Sequence, residues 1–191
     1  MVYGRLSRRL RQLNMNKFSD YCDMLTSGHE EELIEFTNAI TTNLTAFFRE
    51  NHHFEYLKDT VIPKVIKDNA STKRIRIWSA GCSSGEEPYS IAMIVHEVFG
   101  AVMDSWDIKI LATDLDSNVL AKAQSGIYTA ANVNGLDDAL LKRWFLTSED
   151  GQSYKVKTKL QLCISFKRLN LLKDWPMKGP LDLISCTSVV V

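Results

Sequence analysis

An open α/β sheet, preceded by a helical region and interrupted by an antiparallel insertion, is the architecture that this sequence of 191 residues predicts. Three observations carry that expectation. Arg74-Ile-Arg-Ile-Trp-Ser-Ala80 alternates around β-branched isoleucines, as a strand does. It runs through Gly81-Cys-Ser-Ser-Gly85 into a segment with Ile91, Ala92, Ile94, Val95 and Val98 at helical spacing. A second unit of the same kind follows: Asp107-Ile-Lys-Ile-Leu-Ala-Thr-Asp114 as strand, Asp116-Ser117 as helix cap, Asn118 to Gln124 as helix and Gly126 as its stop. Strand, loop, helix and strand in that order build a parallel sheet. Residues 127–163 then abandon the rhythm.

Taken in order, residues 1–17 read as a helix with Leu6, Leu10 and Leu13 on one face. They hold Arg5, Arg8, Arg9, Arg11 and Lys17 and no acid, whereas residues 18–50 hold seven acids against Arg49. The basic face is either solvated surface or a dock for an acidic partner. Phe18–Leu25 is a further amphipathic stretch, broken at Ser27-Gly28. Glu30 to Phe54 reads as one long helical region, with Leu33, Phe36, Ile40, Leu44, Phe47 and Phe48 recurring at helical intervals. Thr41-Thr-Asn-Leu-Thr45 is odd in its middle, because Thr and Asn are poor interior helix formers. Either a ligand or a helix break accounts for it. His52 and His53 point to different sides of a helix with no third ligand near, so no metal is expected.

Val61–Lys67 predicts a short helix and Asp68–Thr72 a polar linker, which places a helical domain over 1–67 and an α/β domain over 73–191. Inside the second, Leu136, Leu140, Leu141 and Trp144 mark a short helix. Tyr154, Val156, Thr158, Leu160 and Leu162 alternate like an antiparallel strand, so 127–163 is read as an inserted β-subdomain. Ile164 to Leu171 is a third sheet strand ending in Asn170, and Leu181–Ser185 begins a fourth.

Composition narrows the function. Hydrophobic content of 45% with 24% charged residues is ordinary for a globular protein, and zero net charge gives no global pull toward nucleic acid or membrane. The four cysteines are scattered without a C-x-x-C pair, which fits a reducing compartment and argues against a zinc site. No apolar run long enough to cross a membrane and no signal-peptide core occur, so the expected location is the cytoplasm.

The loop after the first strand carries the chemistry. Its spacing is Gly-x-x-x-Gly, not the Gly-x-Gly-x-x-Gly of dinucleotide binders, and glycines there let a ligand lie against backbone. Glu86 and Glu87 complement the helix dipole, and they also repel a pyrophosphate. A ligand with hydroxyls and positive charge suits the loop better, and S-adenosylmethionine has both. Asp114, about 30 residues past the loop at the end of the second strand, is placed to accept from ribose hydroxyls, or else caps the strand. An NAD-dependent oxidoreductase shares the strand, loop and acid but not the glycine spacing.

Thr42-Asn-Leu-Thr-Ala-Phe-Phe-Arg-Glu50, Trp78-Ser-Ala-Gly-Cys-Ser-Ser-Gly-Glu-Glu-Pro-Tyr-Ser90, Ala112-Thr-Asp-Leu-Asp116, Ser125-Gly-Ile-Tyr128 and Leu169-Asn-Leu-Leu172, in that order, resemble the CheR-type chemotaxis receptor methyltransferases, which are protein-glutamate O-methyltransferases. The resemblance implies a small helical N-terminal domain before a class I, Rossmann-like S-adenosylmethionine-dependent methyltransferase domain, with the β-subdomain inserted. It implies methyl transfer to glutamates on the cytoplasmic helices of methyl-accepting chemotaxis receptors, by a monomer. In some members the β-subdomain holds a receptor's C-terminal peptide. Carried over by position, the cofactor contacts are Asn43, Thr45, Arg49, Glu86, Asp114, Asn170 and Leu171. Charge complementarity assigns Arg49 to the methionine carboxylate and Glu86 or Asp114 to the ribose. No catalytic residue is assigned, because a glutamate carboxylate is already ionised at neutral pH. The start looks short of a leading helix. Where the family continues Cys-Arg-Asn-Val, this chain reads Cys186-Thr-Ser-Val-Val-Val191. The expectation is an incomplete methyltransferase domain, with a fragment that binds cofactor or receptor without turnover as the alternative.

Overall fold

The computed structural model describes residues 2–186. Seven strands occur among them: β1 (Arg74–Ala80), β2 (Asp107–Asp114), β3 (Ile127–Thr129), β4 (Phe145–Thr147), β5 (Ser153–Val156), β6 (Ile164–Arg168) and β7 (Leu183–Ser185). β6, β2, β1 and β7 form one sheet in that order, with every pairing parallel. β1 runs beside β2 from Arg74 opposite Asp107 to Ala80 opposite Thr113. The chain thus leaves β1 toward β2 and β6 and later returns to the other flank at β7. That reversal makes a crevice beyond the carboxyl end of β1, where open α/β sheets bind ligands.

The two leading strands have the bounds that their alternation predicts. Their faces differ from the alternation, because a parallel sheet is covered on both sides. Trp78, which simple alternation puts on the same side as Arg74 and Arg76, is buried, and its indole N–H donates to Thr113 Oγ1 at 2.9 Å.

The helices before the sheet are α1 (Val2–Gln12), α2 (Phe18–Thr26), α3 (Glu30–Ile40), α4 (Asn51–Tyr56) and α5 (Ile62–Asp68). The single long helix expected over Glu30–Phe54 is two helices. α3 stops at Ile40 because Thr41 turns extended (φ −63°, ψ 150°), and the Arg5 guanidinium takes the carbonyls of Ile40 and Thr41 at 2.9 and 2.5 Å. α4 and α5 are joined by a widened turn, Leu57–Val61, just before Pro63, which has no N–H to continue the ladder. This joined helix buries Phe54, Leu57, Ile62 and Val65 in the same core as Ile75, Ile77 and Ile91. α1, α2 and α3 are held differently: the Arg9 guanidinium and the Tyr21 hydroxyl both donate to the buried Glu32 carboxylate, at 2.6–2.9 Å.

α6 (Glu86–Phe99) connects β1 to β2, and α7 (Ser117–Ser125) follows β2. The insertion holds α8 (Ala130–Val133), α9 (Asp138–Trp144) and an antiparallel sheet in the order β3, β5, β4. The strand expected to run from Tyr154 to Leu162 ends at Val156, and Thr158–Gln161 is a helical turn, α10. A strand would put Leu160 and Leu162 on one face, whereas the turn buries Leu160 completely and leaves Leu162 in solvent. β6 likewise ends at Arg168, short of Leu171, and Asn170 opens a turn in which its Oδ1 accepts the Leu172 N–H at 2.9 Å.

Candidate functional site

The loop from Gly81 to Gly85 is fixed first by backbone. The N–H groups of Gly81 and Cys82 both donate to Thr113 O at 2.8 Å, which locks the end of β1 to the end of β2. Gly81 (φ 80°), Ser83 (φ 48°) and Gly85 (φ 97°) are left-handed. At Gly85 the reason is internal packing, not room for a ligand. A Cβ there would lie 2.9 Å from Ala123 Cβ and from the Tyr128 hydroxyl, space that the protein already fills. α6 starts at once, and its first two residues are buried carboxylates. Glu86, 1% exposed, accepts from Ser84 Oγ at 2.7 Å, and Glu87 accepts from Ser79 Oγ at 2.7 Å. Negative charge at a helix N-terminus is favourable in itself.

Around this loop four residues close a ring of hydrogen bonds. Asp114 Oδ2 accepts the Ser83 N–H at 2.7 Å, and its Oδ1 accepts the Asp116 N–H at 3.0 Å. Asp116 Oδ2 accepts from Asn43 Nδ2 at 2.6 Å and from Thr41 Oγ1 at 2.8 Å. Ser83 Oγ donates back to Asn43 O at 3.1 Å. The segment after α3 is thereby tied to the glycine loop and to the end of β2. Asn38 adds a reciprocal pair with Ser117, accepting its N–H and donating to its hydroxyl.

Aromatic packing holds the rest of that segment down. Phe47 is buried with its ring 4.9 Å from Tyr128 and 5.5 Å from Phe145, so it joins the segment to the insertion. The Phe48 N–H donates to Ser90 Oγ on α6 at 3.1 Å, and its ring packs on Phe54. Phe48 (φ 50°) and Glu50 (φ 56°) flank Arg49 in the left-handed region. Non-glycine residues there cost about 1–2 kcal/mol each. Three of the five such residues among the described ones, Phe48, Glu50 and Ser83, lie in these two segments, and strain of this kind gathers at ligand sites.

The expected contact residues fall as follows. Asn43 and Asp114 belong to the ring, and Glu86 lies one residue past Gly85. Leu169 N–H donates to Asp114 O at 2.9 Å, which sets Asn170 and Leu171 beside the end of β2. Thr45 is half-buried between Asn43 and Phe47. Arg49 is exposed and its guanidinium donates to Leu44 O at 2.8 Å, with no bond to a ring side chain among the described residues. Thr187-Ser188, at the expected Arg-Asn position, lie outside the described residues. Sequence reasoning missed Asp116, Ser83 and Thr41. Only the capping role of Asp116 was visible, because its other partners are 73 and 75 residues away.

The local field is negative. Burial, and then the carboxylates of Asp114 and Glu87, push the Cys82 thiol up, so it is not a nucleophile at neutral pH. Burial, followed by Glu86, likewise raises the Tyr128 phenol. Among the described residues no ion pair reaches Asp114, Asp116 or Glu86. Nor does any cluster of three or more His, Cys, Asp or Glu there suit a metal. A cavity of about 400 Å³ opens next to the ring, between α3 and the end of β6, walled by Leu33, Ile34, Thr37, Leu115, Leu169 and Asn170.

A parallel sheet with its switch point at a glycine loop, ringed by carboxylates and covered by the extended segment after α3, is the arrangement of a Rossmann-like, ligand-binding α/β domain. Comparison with known families agrees: residues 43–191 match the S-adenosylmethionine-binding domain of CheR methyltransferases and residues 1–41 match their all-alpha domain. The chain belongs to the CheR methyltransferase family. Across its whole length it is 41% identical to a probable chemotaxis protein methyltransferase of Rhizobium etli and 40% identical to the chemotaxis protein methyltransferase of Escherichia coli. It is also 41% identical to chemotaxis protein methyltransferase 2 of Pseudomonas aeruginosa. It spans 72%, 65% and 67% of those three proteins. No helix among the described residues is long and apolar enough to cross a membrane.

Proposed function

We propose that this chain binds S-adenosylmethionine at the ring and methylates glutamate side chains on the cytoplasmic helices of chemoreceptors, in the cytoplasm. One observation carries the reading. Buried carboxylates converge on the loop, their hydrogen-bond partners are backbone N–H groups, hydroxyls and one amide, and no ion pair reaches Asp114, Asp116 or Glu86 among the described residues, so the site favours a ligand that brings positive charge. S-adenosylmethionine brings a sulfonium and an ammonium, and it supplies the methyl group.

The residues of the chain bind and orient. Asp114 receives the ribose hydroxyls on the lone pairs that its two backbone partners leave open. Asn43, Thr45, Asn170 and Leu171 bound the cofactor on either side, Glu86 adds negative charge beneath the loop, and Arg49 swings from Leu44 to the methionine carboxylate as a bidentate clamp. The acceptor glutamate needs no base, having an ordinary pKa near 4.3. Orientation and exclusion of water remain as the protein's contribution, worth roughly 7–11 kcal/mol in favourable cases. The β3–β5–β4 sheet is the proposed seat of a receptor's C-terminal peptide.

Calorimetric titration with S-adenosylhomocysteine tests the cofactor reading, with NAD as the control that should give no heat. Absence of affinity for S-adenosylhomocysteine overturns it. Labelled methyl transferred to receptor membranes as a base-labile ester establishes turnover. Binding without ester would leave a cofactor-binding module.

A further inference from the structure

We infer that Asp116 is a positioning residue that fixes which end of the Asn43 amide faces the cofactor. The inference deepens the function proposed above and rests on it. Asp116 is buried, 3% exposed. Its carboxylate receives four donors and offers none: the N–H groups of Asn118 and Val119 on Oδ1, and Thr41 Oγ1 and Asn43 Nδ2 on Oδ2. A carboxylate can only accept, so it admits the NH2 end of an amide and rejects the oxygen end.

Asn43 is therefore held with its nitrogen toward Asp116. Its backbone carbonyl is held too, by Ser83 Oγ at 3.1 Å. Its side-chain oxygen has no hydrogen-bond partner among the described residues. The residue thus presents an acceptor at the loop, the complement of a ligand's ammonium or hydroxyl. Were the amide reversed, a donor would stand there and oppose the same group. Asp116 acts here only through Asn43, and its cap on α7 is a separate task performed by the other oxygen.

Exchanging the two side chains separates these roles. Asp116→Asn keeps an oxygen for the cap, since Asn caps as well as Asp, but sets an NH2 against Asn43 and lets that amide reverse. S-adenosylhomocysteine should bind the full chain about tenfold more weakly, as expected when one hydrogen bond to the ligand is lost. Adding Asn43→Asp restores a donor facing an acceptor in the opposite sense and returns an oxygen to the cofactor side. The double variant should recover most of the lost affinity. Asn43→Asp alone opposes two carboxylates and should melt lowest of the four proteins. Unchanged binding in Asp116→Asn, or an exchange no better than Asp116→Asn, overturns the inference. Should the parent chain not bind S-adenosylhomocysteine, the functional reading fails by itself. The ligand-free melting cycle of the same four proteins then decides: coupling between positions 43 and 116 supports the clamp, and additivity overturns it.

Discussion

Glu32 in the helical region and Asp116 at the end of the sheet are both buried acids tied to distant segments, and they are satisfied in opposite ways. Glu32 meets a charge: the Arg9 guanidinium grips both its oxygens, and the Tyr21 hydroxyl completes the set. Asp116, with Asp114 and Glu86 nearby, receives backbone N–H groups, hydroxyls and one amide. The first cluster is electrically closed and has nothing left for a ligand. The second keeps its charge, which is tolerable because several oriented dipoles share it, and it gains when a cation arrives. Charge compensation separates a device of the fold from a device of the site.

The comparison breaks most sharply at Gly85, on which the geometry of the charged cluster depends. Gly85→Ala combines a left-handed φ with a Cβ crowded to 2.9 Å, and should destabilise the chain by about 3–4 kcal/mol in denaturant unfolding. Next, Asp114→Ala should weaken S-adenosylhomocysteine binding by about 100-fold, since it removes both a ligand acceptor and the ring's link to Ser83. Arg9→Ala is the mirror experiment. It should cost about 3 kcal/mol of stability, the low end for breaking a buried pair because Arg9 keeps 19% of its side chain exposed, and it should leave cofactor affinity intact.

Acid titration sharpens the contrast with a smaller effect. Arg9, through its hydrogen bonds, holds the Glu32 carboxyl below its ordinary 4.5. The stability it contributes is therefore complete above that value and is lost as pH falls through the lower, folded-state value. His96, buried at the end of α6 against Trp144, is held below its ordinary 6.5 by burial and then by Lys159. The unfolded chain takes up that proton first, so stability declines as pH drops below about 6.5. Melting temperature plotted between about pH 7.5 and 5.5 should slope in the parent and flatten in His96→Leu, while Arg9→Ala should lower the whole curve above about 4.5 and change its slope only below that value. Smallest is Arg8→Glu. Arg8 is exposed, unlike Arg5 and Arg9, which are engaged within the fold. Its reversal should lower receptor binding a few-fold in low salt and leave the melting temperature unchanged.

What could be read from the sequence was whatever is local. β1 and β2 have the expected bounds because seven- and eight-residue alternating stretches between turn residues leave little choice. Gly126 and Asp116 mark the two ends of α7 because caps are short-range chemistry. The break after Ile40 was only half legible: the Thr-Asn stretch signalled it, but the side chain that closes α3 is Arg5, 35 and 36 residues earlier. Leu160 and Leu162 misled because period two and a single helical turn look alike over five residues. Of the ring, Asn43 and Asp114 are among the expected ligand contacts, but the bonds that join them through Ser83 and Asp116 could not be read, since they link three separate stretches.

Cys82 turns the same loop into a clock. Its thiol is 1% exposed and reluctant to ionise, whereas Cys22 and Cys186 are open to solvent. An alkylating reagent should consume the outer thiols within its ordinary reaction time and reach Cys82 only during excursions that unlatch Gly81 and Cys82 from Thr113. The lag between the two labelling phases, read by mass spectrometry, would report how often this loop comes apart.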